Sequence, residues 1–257
     1  MVRFFICFLF AGVFAAAAWS QNATPPVENV GIVYNRETTF NLKLTTNRGF
    51  VPGLEFGRLR TYYKTTYYHI SLGEIKHPKE QRQSAEPVQS RSFRPYVYGK
   101  QNNLFALRGG WGVKRYFSEK AKQKGVAVGM SYTFGPSLGL LKPYYLTINL
   151  EGANAGIGRP TAVKYSEKYK ADFLNNSKIL GAAPFTQGLG EISVIPGGTA
   201  SIAYHMDWGA FDEMVKALDI GLVVDVFARK APIFVGDEQN KQVFFNFFLN
   251  LQFGKRK

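Results

Sequence analysis

The sequence predicts an all-β protein that forms a single transmembrane antiparallel β-barrel of about ten strands, and counts from eight to twelve also fit its pattern. Two observations support this class. Segments of about ten residues alternate apolar with polar side chains, and only residues 1–20 form a long apolar run. The composition agrees, because 15% aromatic residues and 26 glycines accompany only 19% charged residues, which is below the roughly 25% usual in soluble domains.

The first twenty residues have the pattern of a signal peptide. Arg3 supplies the positive start, residues 4–18 the apolar core, and Ala18-Trp19-Ser20 the small residues of a cleavage site. We therefore expect a protein exported to the outer membrane of a Gram-negative cell, with residues 21–257 as the barrel domain. The only cysteine, Cys7, lies in the leader, so the mature chain lacks a thiolate for a disulfide or a metal.

The last predicted strand, residues 243–253, shows the alternation most clearly. Its outer row is apolar throughout, and its inner row contains Asn246, Asn250 and Gln252. About 9 to 11 residues is the length that a tilted strand needs to cross the hydrocarbon layer. Four further segments follow the same rule, at residues 105–114, 126–134, 199–208 and 218–228. A soluble sandwich or a lipocalin-like barrel remains the alternative, although small polar inner residues favour a narrow transmembrane lumen.

Five weaker strands complete the predicted ten, at about residues 29–34, 38–46, 53–63, 66–76 and 138–149. The count depends on two segments, Gly135-Pro136 and Ile195-Pro196-Gly197-Gly198, because each is either a bend within a strand or a turn between strands. With ten strands and both termini in the periplasm, the long loop at 150–190 lies outside the cell. The long loop at 77–102 then becomes an unusually long periplasmic connection.

Both loops are candidate docking sites for partner proteins. The first is basic, and we select His77, Lys79 and Arg82 from it, with a plug in the lumen or an ordinary solvated loop as the alternatives. In the second, Tyr165, Tyr169 and Phe173 recur at helical spacing and predict an amphipathic helix within residues 161–176. Its aromatic stripe either seats against a partner or packs onto the barrel's own rim.

Charged side chains on the inner rows predict a network in the lumen. Its members are Arg108, Lys114, His205, Asp207, Asp219 and Asp225. Pairs such as Arg108 or Lys114 with Asp219 or Asp225 would close a barrel that encloses little open space. The alternative is a narrow channel lined by Arg108, Lys114, Asp219 and Asp225.

Catalysis is not expected. Ser201, His205 and Asp207 share one strand face, but neighbours on that face are about 7 Å apart, which is too far for a compact relay. The sequence contains no Gly-x-Ser-x-Gly elbow, no His-Glu-x-x-His motif and no carboxylate cluster with metal-ligand spacing. A lipid-modifying enzyme is thus the less favoured alternative, and we expect no cofactor and no metal.

Several strings resemble a family of small outer-membrane proteins from Bacteroidota. They are Gly31-Ile32-Val33-Tyr34-Asn35, Gly73-Glu74-Ile75-Lys76-His77-Pro78-Lys79-Glu80, Val97-Tyr98-Gly99-Lys100, Leu107-Arg108-Gly109-Gly110, Ser137-Leu138-Gly139-Leu140 with Lys142-Pro143, Asp225-Val226-Phe227 and Phe253-Gly254-Lys255-Arg256-Lys257. The resemblance implies an outer-membrane β-barrel and supplies no catalytic residues. By analogy, it also implies an accessory role in outer-membrane protein assembly or in type IX secretion.

The chain departs from many outer-membrane barrels at its end, because Phe253 is followed by Gly254-Lys255-Arg256-Lys257. We expect this basic tail to stay in the periplasm, near lipid headgroups or simply solvated. Taken together, the sequence predicts a non-enzymatic barrel that contacts outer-membrane lipids and the proteins of a membrane complex. Nucleic acid is not an expected partner of an exported chain, despite the net charge of +14.

Overall fold

The computed structural model describes residues 34–47, 49–61, 63–84, 94–117, 125–150, 159–209, 212–236 and 240–257. The predicted signal peptide lies outside these residues, as do residues 29–33 of the first predicted strand. The strands are β1 (Arg36–Thr45), β2 (Phe50–Thr61), β3 (Lys64–Ile75), β4 (Arg82–Gln83), β5 (Tyr96–Val97), β6 (Asn102–Tyr116), β7 (Ala127–Pro143), β8 (Tyr145–Leu150), β9 (Arg159–Lys164), β10 (Ile179–Ala182), β11 (Ser193–Asp207), β12 (Met214–Phe227) and β13 (Val243–Arg256). Helical structure in the described part of the chain consists of α1 (Lys170–Phe173) and the 3₁₀ turns Glu167–Tyr169 and Leu189–Glu191. None of the helices among the described residues has the length and apolar character needed to cross a membrane.

Eight of the strands form a closed antiparallel barrel in the order β1-β13-β12-β11-β7-β6-β3-β2. Strand β1 closes the barrel on β13, in a register that runs from Glu37 opposite Arg256 to Thr45 opposite Phe248. Closure pairs the backbone groups of both terminal strands and leaves no open sheet edge. The predicted all-β barrel is confirmed, with the lowest strand count that the sequence allowed.

The count falls from ten partly because one strand, β7, takes the place of the predicted strand 126–134 and of the first part of 138–149. Gly135 and Pro136 lie inside β7, where the ladder to β6 skips from Arg108–Ser137 to Trp111–Phe134. Pro136 has no N–H to donate, so it fits at this interruption. A Cβ on Gly135 would collide with the carbonyl oxygen of Gly109, so the close approach of the strands requires glycine. The segment 195–198 likewise lies inside β11.

The barrel exposes apolar side chains and buries charged ones. Tyr68, Phe245 and Phe247 are 67%, 68% and 66% exposed on its outer face, whereas Lys114 and Asp225 are 1% and 0% exposed inside. A soluble sandwich or lipocalin-like barrel would have an apolar interior, so the observed arrangement excludes both alternatives. It is the arrangement of a barrel whose outer surface is solvated by lipid.

The two ends of the barrel differ in the length of their connections. At the end that carries both described termini, residues 62–63, 117–126 and 208–213 connect the strands. At the opposite end, which we name the loop end, the connections are residues 46–49, 76–101, 144–192 and 228–242. With eight strands, the loops at 77–102 and 150–190 therefore emerge at the same end, and the expectation that they lie on opposite sides is wrong.

The long loops fold into a cap at the loop end. A three-stranded sheet in the order β10-β8-β9 and the short pair β4-β5 form its framework. Its core contains the buried residues Tyr96, Leu146, Ile148, Val163, Phe173 and Ile179. The Val97 amide donates to the Tyr144 hydroxyl at 3.2 Å, and the Ala182 amide donates to the Arg94 carbonyl at 3.0 Å. These contacts join the two loops that the sequence had placed apart.

The predicted amphipathic helix at 161–176 is wrong in extent. Its first residues belong to β9, and only the single turn Lys170–Phe173 is α-helical. The short strand β9 pairs with β8 along Tyr145–Leu150, so the sheet takes residues that the aromatic spacing assigned to a helix. Tyr165 and Phe173 still meet, with ring centroids 5.7 Å apart, but they do so across a strand end and a turn.

Candidate functional site

The interior of the barrel is the candidate site, and its end near the termini contains a network of ion pairs. Arg256 donates from Nε to Glu37 at 3.0 Å and from Nη2 to Asp207 at 2.7 Å. Its Nη1 donates to the backbone carbonyl of Gly209. Arg256 is therefore held by three different parts of the fold. The expected solvated tail is wrong for this residue, because β13 continues through it and buries it, whereas Lys255 and Lys257 are exposed.

Lys114 lies at the centre of the next group. Its ammonium lies 3.2 Å from a Glu37 oxygen and 3.1 Å from a Glu55 oxygen, and it donates to Gln252 at 2.9 Å. The Tyr67 ring covers it, with 5.0 Å between Nζ and the ring centroid. A buried ammonium is stabilised only where such partners replace water.

His205 and Asp219 form a second group in the same layer. The His205 Nδ1 lies 2.5 Å from an Asp219 oxygen, and the other Asp219 oxygen accepts from Asn250 at 2.8 Å and Gln252 at 2.6 Å. The Tyr116 hydroxyl lies 3.2 Å from His205 Nε2 and 3.2 Å from an Asp207 oxygen. Tyr116 thus links this group to Arg256 through Asp207.

Arg108 and Asp225 form a bidentate pair nearer the middle of the barrel. The Arg108 Nε and Nη2 donate to the two oxygens of Asp225 at 2.7 and 2.8 Å. The pair joins β6 to β12, which are not neighbours in the barrel order. The guanidinium therefore crosses the lumen, and fork-to-fork geometry fixes it in place.

The loop end of the lumen is closed by apolar side chains. The connection 228–242 places Ala231, Ile233 and Phe234 against Val97 of the cap and against the inner barrel residues Ile75, Leu104, Ala106, Leu141, Ile195, Phe227 and Phe244. We name the segment 231–234 the plug. Asn240 holds it, since its Oδ1 accepts from the amides of Ile233 and Phe234 at 2.9 and 3.1 Å, and its Nδ2 donates to the Phe234 and Gly236 carbonyls.

The structure brings all six predicted lumen residues inside the barrel. Arg108 pairs with Asp225, as the sequence suggested, whereas Lys114 pairs with Glu37 and Glu55 instead of Asp219 or Asp225. Sequence reasoning missed Glu37, Glu55, Gln252 and Arg256 as members of the network, and it missed the plug. The inner row of β1 held a usable signal, because Glu37, Thr39, Asn41 and Lys43 alternate with an outer row that becomes apolar at Phe40, Leu42 and Leu44.

The predicted docking residues have different surroundings. Phe173 is fully buried in the cap core, and Tyr165 and Tyr169 pack against that core while remaining partly exposed. His77 is buried, with its ring edge-on to Phe234 at 5.3 Å. Only Lys79 and Arg82 are exposed. The aromatic stripe thus packs onto the protein itself, the outcome that the sequence analysis left as an alternative.

His77 is the titratable group that links the cap to the plug. Its Nδ1 accepts from the Lys79 amide at 3.2 Å, and its own amide donates to Glu80 at 3.1 Å. Burial lowers the pKa of the His77 imidazole from its usual value, and the positive charges of Lys241 and Lys79 lower it further. The neutral ring therefore suits its place against Phe234.

The three residues considered for catalysis do not form a relay. Ser201 shares a 2.7 Å hydrogen bond with Thr133, His205 pairs with Asp219, and Asp207 pairs with Arg256. Each of the three therefore has another partner within the lumen. Among the described residues, no group of three His, Cys, Asp or Glu side chains is arranged to hold a metal ion.

No protein-family model and no curated protein matches the chain. Two solved structures are similar to it. The N-terminal β-barrel domain of OprF from Pseudomonas aeruginosa is 11% identical over 87% of this chain and 98% of its own, with a TM-score of 0.35. Neisserial surface protein A, NspA, is 10% identical over 87% of this chain and 95% of its own, with a TM-score of 0.38.

Proposed function

We propose that this chain is a non-enzymatic, non-conducting β-barrel of the outer membrane that acts as an accessory subunit of an outer-membrane protein complex. The observation that carries the proposal is a lumen sealed twice, by ion pairs near the termini and by the apolar plug at the loop end. A barrel closed in this way leaves its cap as the part that can act on another molecule. The resemblance to small Bacteroidota barrels suggests outer-membrane protein assembly or type IX secretion as the setting.

The position in the membrane follows from the connections. Small outer-membrane barrels have short periplasmic turns and longer extracellular loops. The end with the termini therefore faces the periplasm, and the cap faces outward. Partner proteins would meet the cap at the cell surface or in the outer half of a membrane assembly.

The cap offers a specific contact surface. A cleft of about 310 Å³ is lined by Lys79, Gln81, Gln83, Tyr98 and Leu174 among others. Arg82 is exposed on β4, between two of the lining glutamines. The Lys79 ammonium, two amides and a tyrosine in the cleft, with the exposed Arg82 beside them in the chain, suit a partner segment that combines a carboxylate with an apolar side chain.

A pull-down tests the accessory role directly. The tagged chain would be purified in mild detergent from its own membranes, beside a Lys79→Glu/Arg82→Glu variant and a control, Lys168→Glu/Lys170→Glu, that changes exposed charges elsewhere on the cap. We expect a stoichiometric companion that wild type and the control retain and the cleft variant loses. Recovery of the wild-type chain alone would contradict the accessory role.

Planar-bilayer recording tests the seal, with a general porin as the positive control. We expect the wild-type barrel to insert without steady conductance. The two remaining functions have their own signatures. A steady, ion-selective current that Asp225→Trp abolishes would establish the narrow channel instead. Unchanged membrane lipids on deletion of the gene, measured by mass spectrometry, would exclude a lipid-modifying enzyme.

A further inference from the structure

Four cations form a group on the outer face of the barrel, at the end that carries the termini. Arg36, Arg58, Lys64 and Arg115 lie on β1, β2, β3 and β6, which are consecutive neighbours in the barrel. All four belong to the outer rows of their strands, with the apolar residues that face lipid. We name these four residues the basic belt. Arg60, two residues beyond Arg58 on the outer row of β2, donates to the Thr66 hydroxyl at 3.2 Å and is not counted in it.

The basic belt places like charges directly opposite each other. Arg36 is the cross-strand partner of Arg58, and Lys64 is that of Arg115. Like charges in such positions destabilise a sheet. Within the described part of the chain, no salt bridge involves any of the four, and the only carboxylate on the outer rows of these strands is Glu74 at the loop end.

The strand β13, which pairs with β1 at the same rim, is arranged differently. There Lys255 on β13 lies 2.7 Å from Glu213, so a carboxylate of the protein balances its charge. Among the described residues the basic belt lacks such a carboxylate, and its four cations therefore call for an anion from outside the protein. The anion must also be able to sit beside an apolar surface, because the belt borders the lipid-facing band.

The depth of the belt identifies its surroundings as the headgroup layer. Arg58 follows Phe56 by two residues on the outer row of β2, or about 7 Å, and Lys64 precedes Tyr68 by four residues on β3, or about 13 Å. Phe56 and Tyr68 are more than half exposed on the apolar band. Cations just beyond such aromatic residues lie where lipid phosphates lie.

We propose that the basic belt binds the phosphate of an anionic phospholipid of the periplasmic leaflet, whose acyl chains then lie along Phe56 and Tyr68. This inference rests on the proposed outer-membrane location and orientation. Four adjacent strands span about 15 Å, which suits one or two phosphodiester groups. The periplasmic end faces the phospholipid leaflet, so a phospholipid is favoured over the phosphates of lipid A.

Native mass spectrometry of the purified protein with added phosphatidylglycerol, phosphatidylethanolamine or lipid A tests the assignment. The belt variant combines Arg36→Gln, Arg58→Gln, Lys64→Gln and Arg115→Gln. A matched control removes four exposed cations at the loop end, by Lys168→Gln, Lys170→Gln, Arg229→Gln and Lys241→Gln. Each cation near an anionic lipid contributes about a fivefold factor in binding, so we expect at least a tenfold loss of phosphatidylglycerol in the belt variant and little change in the control.

Three outcomes would overturn the inference. The first is equal retention of phosphatidylglycerol by the belt variant and wild type, and the second is equal retention of phosphatidylethanolamine and phosphatidylglycerol by wild type. The third is stronger belt-dependent binding of lipid A than of phosphatidylglycerol. The proposed function fails separately, because a wild-type chain that stays soluble without detergent and does not insert into vesicles would refute the membrane location itself. Insertion of the belt variant into vesicles controls for its folding.

Discussion

Replacing Arg256 by methionine should destabilise the barrel strongly, although this residue is the second from the end of the chain. Its guanidinium lies between Glu37 at 3.0 Å and Asp207 at 2.7 Å, and it is 3% exposed. Methionine keeps most of the volume but leaves buried Asp207 without its cation and Glu37 with Lys114 alone. Breaking a buried ion pair by removing one partner costs about 3–5 kcal/mol, a large part of the roughly 5–15 kcal/mol that typical domains have.

The assay is urea unfolding of the barrel refolded into phospholipid vesicles, followed by tryptophan fluorescence. Lys257→Met is the matched control, because it removes the same charge one residue later at an exposed position. We expect the control to stay within about 0.5 kcal/mol of wild type. Equal stability of Arg256→Met and Lys257→Met would refute the buried network and restore the solvated tail.

A second variant separates the charge effect from lost packing. Asp207→Asn in the Arg256→Met background removes the carboxylate that has lost its cation, and the side-chain amide that replaces it can still accept a hydrogen bond. The double variant should therefore be more stable than Arg256→Met alone. If the two changes simply add, Arg256 contributes through its side-chain contacts and not through charge pairing.

Three further variants test the plug, the cap and the barrel wall. Asn240→Ala removes three hydrogen bonds to the plug and one to Gly236, each worth about 1 kcal/mol. Amide hydrogen exchange at residues 231–236 should therefore rise at least tenfold, and unchanged protection would contradict the role of Asn240 in holding the plug. The lowered pKa of His77 means that the unfolded segment binds the proton more readily, so the stability of the cap should be complete above about pH 6.5 and fall with acidification. His77→Phe should flatten this pH dependence of exchange in the cap, and an equal slope in both proteins would exclude His77 as its source. Gly135→Ala should lower the free energy of unfolding by about 1–3 kcal/mol, because the new Cβ collides with Gly109. The control Gly190→Ala should be tolerated, since its Cβ meets nothing within 4 Å. Equal effects of the two variants would refute the close approach of β7 to β6.

The barrel wall could be predicted because alternation along a strand depends on the local sequence alone. In β13 the inner row Phe244, Asn246, Phe248, Asn250 and Gln252 is buried as the pattern indicated. The same alternation gave a wrong prediction for residues 145–149, which it assigned to the barrel wall although they lie in β8 of the cap. Leu146 and Ile148 alternate like membrane-facing residues, yet they belong to the cap sheet and pack on its core. A period of two describes both kinds of strand, so it does not mark the end of the barrel.

The site was harder to predict, because its partners are distant in sequence. Arg256 follows a lysine at the chain end, a context typical of a solvated tail, and its role depends on Glu37, which lies 219 positions away. Lys114 likewise depends on Gln252, which is 138 positions away. Charges on an inner row can be identified from a strand, but which of them pair depends on strand order and register. Strand order and register follow only from the structure, in which Ala127–Pro143 form the single strand β7 instead of two strands.

The pairing of Arg256 links closure of the barrel to the sealing of its lumen. Strands β1 and β13 meet only when the sheet closes, and at that step Glu37 and Arg256 become register partners. Before closure, Glu37 would lack the Arg256 guanidinium that it shares with Asp207 in the finished barrel. Lys114, which contacts both Glu37 and Gln252, likewise completes its ligands only when the first and last strands join. The ion pairs that block the lumen therefore also favour the closed barrel over an open sheet, so a substitution that opens the lumen at this end should weaken closure as well.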